Sequence, residues 1–461
     1  NHTMNSTCRR FLIFALLVAA ANGMFAQNNI PPQRTVIQTK YTADPAPLVY
    51  NDTVFLYTSH DEDDAMGFEM HDWLLYTSTD MVNWTEHGVV ASLKNFDWVP
   101  YDNGAWAVQC VERNGKFYLY CPMPGGVGIG VLVADSPYGP FKDPIGKPLV
   151  KNSNHDIDPT VLIDDDGQAY MYWGNPKLYY VKLNEDMISY SGEIMQDPTT
   201  PKNYQEGPWV WKRKGLYYLA YASTCCPEGI GYAMSTSPFG AWEYKGMIVD
   251  ASELTRGNHP GIIEYKGKSY CFGHSYDLLK QITSKFYERR SVDMDEMEYH
   301  PDGSIVNRRY WSVEGPTQVG NVNPFKRVEA ETMAWSEGIK THFETQWEGD
   351  FTWARGKKIA DRLFVTSINH GDYILVQGVD FQNGAKSLEV SAASIYGGQI
   401  EFRIGKMDGP VIATVDVNTS RHMGLWKTFS APVEKVSGVH DLYLVFKGEK
   451  ELFHLDWWIL K

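Results

Sequence analysis

Short apolar runs with a two-residue period recur along roughly the first 320 residues, each entered through a tight polar turn. The runs are "NDTVFLYTSH", "NGKFYLYCPM", "DGQAYMYWGN", "KGLYYLAYAS" and "KGKSYCFGHS". Their turn residues are Asn51–Asp52, Asn114–Gly115, Asp166–Gly167, Lys214–Gly215 and Lys266–Gly267. Alternation of apolar and polar positions predicts half-buried strands, and an X-Gly pair between two such runs predicts a hairpin. A second β-rich phrase follows each hairpin, as in "LLYTSTDMVNWTEHG", "GVLVADSPYGPFKDP" and "GYAMSTSPFGAWEYKG". The unit recurs five times with a period of roughly 50–60 residues, and each copy reads as about four short strands.

Five sheets around an axis make a five-bladed β-propeller, where each sheet buries its faces against its neighbours and few edges stay open. A pair of sandwiches is the alternative, and it gives no reason for five copies. The repeat stops near "NVNPFKRVEAE", where Pro324 marks a short linker. Beyond it, "DYILVQGV", "SLEVSAAS", "IEFRIG" and "HDLYLVFKG" alternate between turn clusters, as in a single β-sandwich. No long amphipathic helix stands out. The expected fold is all-β: a five-bladed β-propeller over 27–322 and a β-sandwich (jelly-roll) module over 327–461.

The N-terminus departs from this pattern. Arg9 and Arg10 precede the apolar run Phe11–Ala21, and small residues permit cleavage after Ala26. The run is too short to span a bilayer comfortably. Residues 1–26 therefore read as a signal peptide, with Asn1–Thr3 as residues added before Met4. An exported protein, periplasmic or extracellular, with no membrane span is expected. Five of the six cysteines lie beyond this segment, an odd number with no CxxC pair or Cys/His metal spacing. They are expected to be mostly buried thiols that pack as small apolar groups.

Charge narrows the partners. Lys and Arg total 42 against 56 Asp and Glu, a formal charge of −14. No basic surplus exists to meet phosphates, so nucleic acid is excluded as a partner. Aromatics make up 14 % of the chain, with 15 Trp and 28 Tyr, a composition normal for an aromatic-rich β protein that handles sugars.

"NHDIDPTVLIDDDGQAYMYWGN" places Asp156, Asp158, Asp164, Asp165 and Asp166 within a dozen residues. Asp164–Gly167 falls where other copies have their hairpin turn, so it reads as a solvated turn. It lacks the alternating oxygen ligands and closing Glu of an EF-hand. Asp158 is different. It precedes Pro159 at the entry of a first strand, as Asp44 precedes Pro45, and Glu206 is followed by Gly207–Pro208. In a propeller the first strand of each blade lines the central channel, so these acids are expected at equivalent positions facing one pocket. Proline is expected to hold the preceding residue extended and its carboxylate rigid. Asp156 is expected beside the site or in solvent.

Such a trio suits glycosidic hydrolysis. One carboxylate activates water, one protonated acid supplies the leaving oxygen's proton, and a third charge keeps that acid protonated. At these residues, "ADPAPLVY", "IDPTVLIDDDGQAYMYWG" and "QEGPWVWKRKGLYYLAYAS", the sequence resembles glycoside hydrolase family 43 over roughly residues 38–320. The resemblance implies inverting hydrolysis of arabinosyl or xylosyl linkages. It makes Asp44 the general base, Glu206 the general acid and Asp158 the residue that tunes and orients that acid. Inversion places base and acid roughly 6.5–9.5 Å apart. It also implies His259 beside a channel metal, often calcium, Arg290 as a pocket arginine and Trp106 as a wall, although Val108 replaces the family's proline. Trp173 and Trp209 are further candidates for stacking on sugar.

"RVEAETMAWSEGI", "INHGDYILVQGVDF" and "LFHLDWWILK" resemble carbohydrate-binding module family 6. This implies a structural calcium held partly by Glu329, Glu331 and Asp456. The family's main sugar cleft is altered here: Ser367 stands where an aromatic is usual and His454 where Asn is usual, while Trp426 offers one ring. The function expected is an exo-acting α-L-arabinofuranosidase on arabinoxylan, a plant cell-wall polysaccharide, without an organic cofactor. The alternatives are a β-xylosidase or xylan-chain hydrolase, or a non-catalytic sugar-binding propeller.

Overall fold

The computed structural model describes residues 35–224, 227–348, 357–419 and 425–461. The segment expected to be a signal peptide and Cys225–Cys226 lie outside the described residues. Four of the repeated hairpins close through two-residue turns with positive φ at both centres. These are Asn51 (47°) and Asp52 (57°), Asn114 (53°) and Gly115 (77°), Lys214 (49°) and Gly215 (79°), Lys266 (47°) and Gly267 (76°). This is the type I′ pattern, whose twist matches that of the strands it joins. The third hairpin is wider: Asp164 N–H donates to Gln168 O, and Gly167 N–H to Asp164 O, both at 2.9 Å.

Each hairpin seeds one blade. Blade 1 is Tyr41–Tyr50, Thr53–Asp61, Asp72–Ser78 and Trp84–Ser92, in consecutive antiparallel order. Blade 2 is Gln109–Arg113, Lys116–Met123 and Gly128–Ala134, with a further bridge from Val133 to Lys142. Blade 3 is Thr160–Ile163, Ala169–Trp173, Tyr179–Leu183 and Tyr190–Gln196. Blade 4 is Tyr204–Arg213, Leu216–Ser223, Gly229–Ser235 and Glu243–Val249. Blade 5 is Gly261–Tyr265, Lys268–Ser275 and Ser291–Met297. Val36 N–H donates to Val292 O at 2.8 Å, so the segment ahead of blade 1 closes the ring against blade 5. The innermost strands touch in a complete circuit, each blade to the next and blade 5 back to blade 1. The packed aromatics explain much of the composition: Trp73, Trp173, Tyr57, Tyr76 and Tyr218 are fully buried. Cys110, Cys121 and Cys271 are buried free thiols, as expected.

After the linker, a six-stranded and a five-stranded sheet enclose Val365, Val390, Leu444 and Trp458 as a β-sandwich. The sandwich is not a free appendage. Thr332–Met333 pairs with the outer strand of blade 1 at Thr85 and Trp84 and extends that sheet. Asn83 Nδ2 donates to Gln377 O at 2.8 Å, and Gln377 N–H returns a bond to Asn83 Oδ1 at 2.9 Å.

Candidate active site

The channel-facing strands kink where they meet the axis. Asp44 has φ 50° and Asp158 φ 59°, and Gly207 takes φ 63°. This corrects the expectation that proline keeps these residues extended. Positive φ is uncommon outside glycine, with Asp among the tolerant residues, and costs roughly 1–3 kcal/mol where the surrounding structure enforces it. The strand register shifts between Ala43 and Ala46 in blade 1 and between Glu206 and Trp209 in blade 4. Pro45, Pro159, Pro208 and Pro260 line one narrow channel together with Asp44 and Asp158. Gly207, rather than Glu206, stands directly before its proline as Asp44 and Asp158 do, so the acid is offset by one residue. A Cβ at Gly207 would lie 2.9 Å from the His259 ring, so glycine is needed there for space as well as for φ.

These kinks bring the three acids to one cavity of about 350 Å³. That is the small end of the ~300–1,000 Å³ usual for ligand pockets and suits a single sugar with part of its neighbour. Asp44 Oδ2 accepts from Ser59 Oγ at 2.6 Å, and Arg290 Nη1 lies 3.3 Å from Oδ1. Arg290 is itself fixed by Asp61, through Nε and Nη2 at 2.9 Å each. Burial works to raise Asp44, but the Arg290 charge, helped by His259, outweighs it and holds the carboxyl at about 2. Asp44 N–H donates to His274 Nδ1 at 3.3 Å, while His274 Nε2 lies 2.6 Å from Arg256 O. This fixes a neutral His274 with its proton on Nε2, and burial, with Arg290, holds the ring down at about 3.

On the opposite side, Gly207 N–H donates to Asp158 Oδ2 at 3.0 Å. Asp158 Oδ1 is buried without a partner among the described residues. Burial pushes Asp158 up, and the charges of Glu206 and Asp44 add to it against the pull of His259. Glu206 Oε2 accepts from Asn175 Nδ2 at 2.7 Å. His259 stands between the acids: Nδ1 is 3.5 Å from Asp44, and Nε2 is 3.8 Å from Asp158 and 3.9 Å from Glu206. Burial opposes a charged ring, yet the Asp158, Asp44 and Glu206 carboxylates prevail and push His259 up to about 10.

Trp106 and Arg290 line the cavity, and Phe68 meets Trp106 edge-to-face at 4.7 Å. Two expected stacking residues do not. Trp173 is fully buried with Nε1 on Asp156 Oδ1 at 2.9 Å, because its side chain packs between blades 2 and 3 rather than toward the cavity. Trp209 is packed in the propeller core and borders the narrow channel of the four prolines instead. Asp156 is buried and ties Trp173 to the loop at Asn152 and Ser153. Asp164 is not solvated: it is buried and pairs with Lys212 at 2.7 Å, whereas Asp165 and Asp166 are exposed. Sequence reasoning missed Asp61, Phe68, Asn175, Glu228 and His274, all at or behind the pocket. Asp61 ends the second strand of blade 1 and Asn175 lies two residues past the second strand of blade 3, and that place at a strand end is the one signal that marked them.

Two metal expectations can be set against these side chains. Asp158, Glu206 and His259 offer ligand atoms within 4.8 Å of one another. One nitrogen and two carboxylates fit an ion whose remaining ligands are water. In the sandwich, Glu329, Glu331 and Asp456 line one cavity of about 440 Å³. There Arg327 takes Glu329 at 2.7 Å and Arg362 takes Asp456, so of the three acids only Glu331, through its buried Oε2, has an oxygen left without a partner among the described residues.

The family model for glycosyl hydrolases family 43 matches residues 33–305. The chain belongs to this family. The model for carbohydrate binding module (family 6) matches residues 329–461 of the same family 43 enzyme. An arabinoxylan arabinofuranohydrolase of Paenibacillus polymyxa is 33 % identical, over 97 % of this chain and 78 % of that protein. One from Bacillus subtilis is 31 % identical over 98 % of both. A xylosidase/arabinosidase of Bacteroides ovatus is 29 % identical over 59 % of this chain. The crystal structure of a family 43 arabinoxylan arabinofuranohydrolase from Bacillus subtilis, in complex with cellotetraose, superposes with TM-score 0.78 at 30 % identity. It covers 92 % of this chain and 96 % of that one.

Proposed function

We propose that this glycoside hydrolase removes α-L-arabinofuranosyl branches from arabinoxylan with inversion at the anomeric carbon. The observation that carries the reading is the meeting of Asp44, Asp158 and Glu206, from three separate blades, around His259 in one small cavity. Asp44, held ionised by Arg290, takes a proton from the attacking water. Glu206 gives its proton to the departing xylosyl oxygen, and Asp158 orients it through the Gly207 N–H. Positive charge at His259, from its own proton or from a bound metal, offsets the three acids. Such a metal would supply fixed charge to the channel.

The arabinofuranosyl choice rests on the two relatives that span nearly the whole chain. Relatives named for both xylosidase and arabinosidase activity, one over 59 % of this chain and another over 89 %, support β-xylosidase as the second reading. Aryl α-L-arabinofuranoside, aryl β-D-xyloside and wheat arabinoxylan, assayed in parallel, separate the two. Arabinose release from the polymer supports the proposal; xylose as the sole product overturns it.

A polymeric cell-wall substrate also supports export. No helix among the described residues is long and apolar enough to cross a membrane. Cleavage after Ala26 is read by N-terminal sequencing of the mature protein. Calcium in the sandwich rests on the open Oε2 of Glu331, with Glu329 and Asp456 alongside. A melting temperature unmoved by chelation counts against it.

A further inference from the structure

Glu228 is a fourth carboxylate at the pocket, outside the catalytic trio. It is only 2 % exposed, yet it lines the same cavity as Glu206 and Arg256. Its Oε2 accepts from Asn258 N–H at 3.1 Å, which anchors the group to the turn that carries His259. Gly257 lies between the two glutamates. A Cβ there would stand 3.2 Å from Glu206 Oε1 and 3.7 Å from Glu228 Oε2, and Gly257 has φ 56°. The bare backbone thus lets two carboxylates approach from either side. Burial, and then the Glu206 charge, push Glu228 up to about 7.

A carboxyl group anchored on one oxygen and bordering a sugar-sized cavity is a preorganised hydrogen-bonding group. Nothing in the base–acid pair needs it, since water activation and proton delivery are met by Asp44 and Glu206. A buried polar group built to meet a hydroxyl discriminates strongly against a ligand that lacks it, because the group is then left unpaired. We propose that Glu228 binds one hydroxyl of the sugar being released and so sets which glycone the pocket accepts. This rests on the glycosidase reading and adds the residue that selects the glycone.

The test uses the full-length enzyme, the variant Glu228→Gln, and aryl α-L-arabinofuranosides that are intact or lack the 2-, 3- or 5-hydroxyl. The expected result is a fall in kcat/KM of about 10–100-fold on the intact sugar, with the melting temperature unchanged. On one deoxy sugar the variant and wild type should be equal, because the partner hydroxyl is already gone. An equal loss on all four substrates means a structural or electrostatic role and overturns the proposal, as does no loss on any. Turnover by the wild type, and its abolition by Glu206→Gln on the intact sugar, report separately on the glycosidase reading. If Glu228→Gln melts early, Glu228→Asp, which keeps the carboxyl but draws it back from the cavity, should show the same single-substrate dependence.

Discussion

Gly207 N–H donates to Asp158 Oδ2 at 3.0 Å, so the residue after Glu206 is tied to the acid of the neighbouring blade. This bond separates the two roles assigned to Asp158, charge and orientation. Asp158→Asn keeps an acceptor for the N–H and removes the charge; Asp158→Ala removes both. Kinetics on an aryl arabinofuranoside should show a loss of kcat/KM of about 10²-fold or more for Asn and a larger one for Ala. Equal activity in Asn and wild type would remove the charge from the account.

Arg290 governs the acid side of the pH profile. With Arg290 present, Asp44 is held at about 2 and stays ionised across the working range. In Arg290→Gln the burial of Asp44 is unopposed by its strongest neighbour, so its pKa rises and the acid limb of kcat/KM moves to higher pH by about 1–3 units. Stability follows the same sign. Because the folded pKa lies below the unfolded value, the contribution of Asp44 is present above the unfolded value and lost as pH falls through about 2. Profiles of wild type and variant between pH 3 and 8 check the shift; coincident acid limbs contradict it.

Asp293 shows the opposite linkage. Both its carboxylate oxygens are buried without partners among the described residues. Burial first, then the charge of Asp277, push it well up. Its favourable contribution is therefore complete below the unfolded carboxylate value and lost as pH rises through the folded one. Asp293→Asn removes the titration and should stabilise by about 1–3 kcal/mol at pH 8, with little change at pH 4. Melting curves of both proteins at pH 4, 6 and 8 measure this; parallel pH dependences count against it.

The ring and its acids were legible because they repeat. Five hairpins with turn pairs at matching offsets demand five similar sheets, and a ring is the economical way to cover their faces. Asp44 and Asp158 stood out by breaking the same apolar pattern at the same place. Glu228 carried no such mark, since it breaks no repeated pattern in the sequence and meets the pocket beside the Gly257 turn. His274 and Asp61 lie at strand ends, where periodicity fixes the face but not which end meets the axis. For the same reason Trp173 and Trp209 were misplaced: a tryptophan in a blade strand faces a neighbouring blade as readily as the channel. The positive φ before proline was hidden as well, because local preference favours an extended residue and the closing of the ring overrides it.

The central claim, water activated by Asp44 opposite a proton from Glu206, is tested most directly by the anomer first released. Proton NMR of a fresh digest of an aryl α-L-arabinofuranoside, recorded before mutarotation, should show β-L-arabinofuranose forming first. First-formed α-L-arabinofuranose would mean a covalent route and contradict the assignment of base and acid.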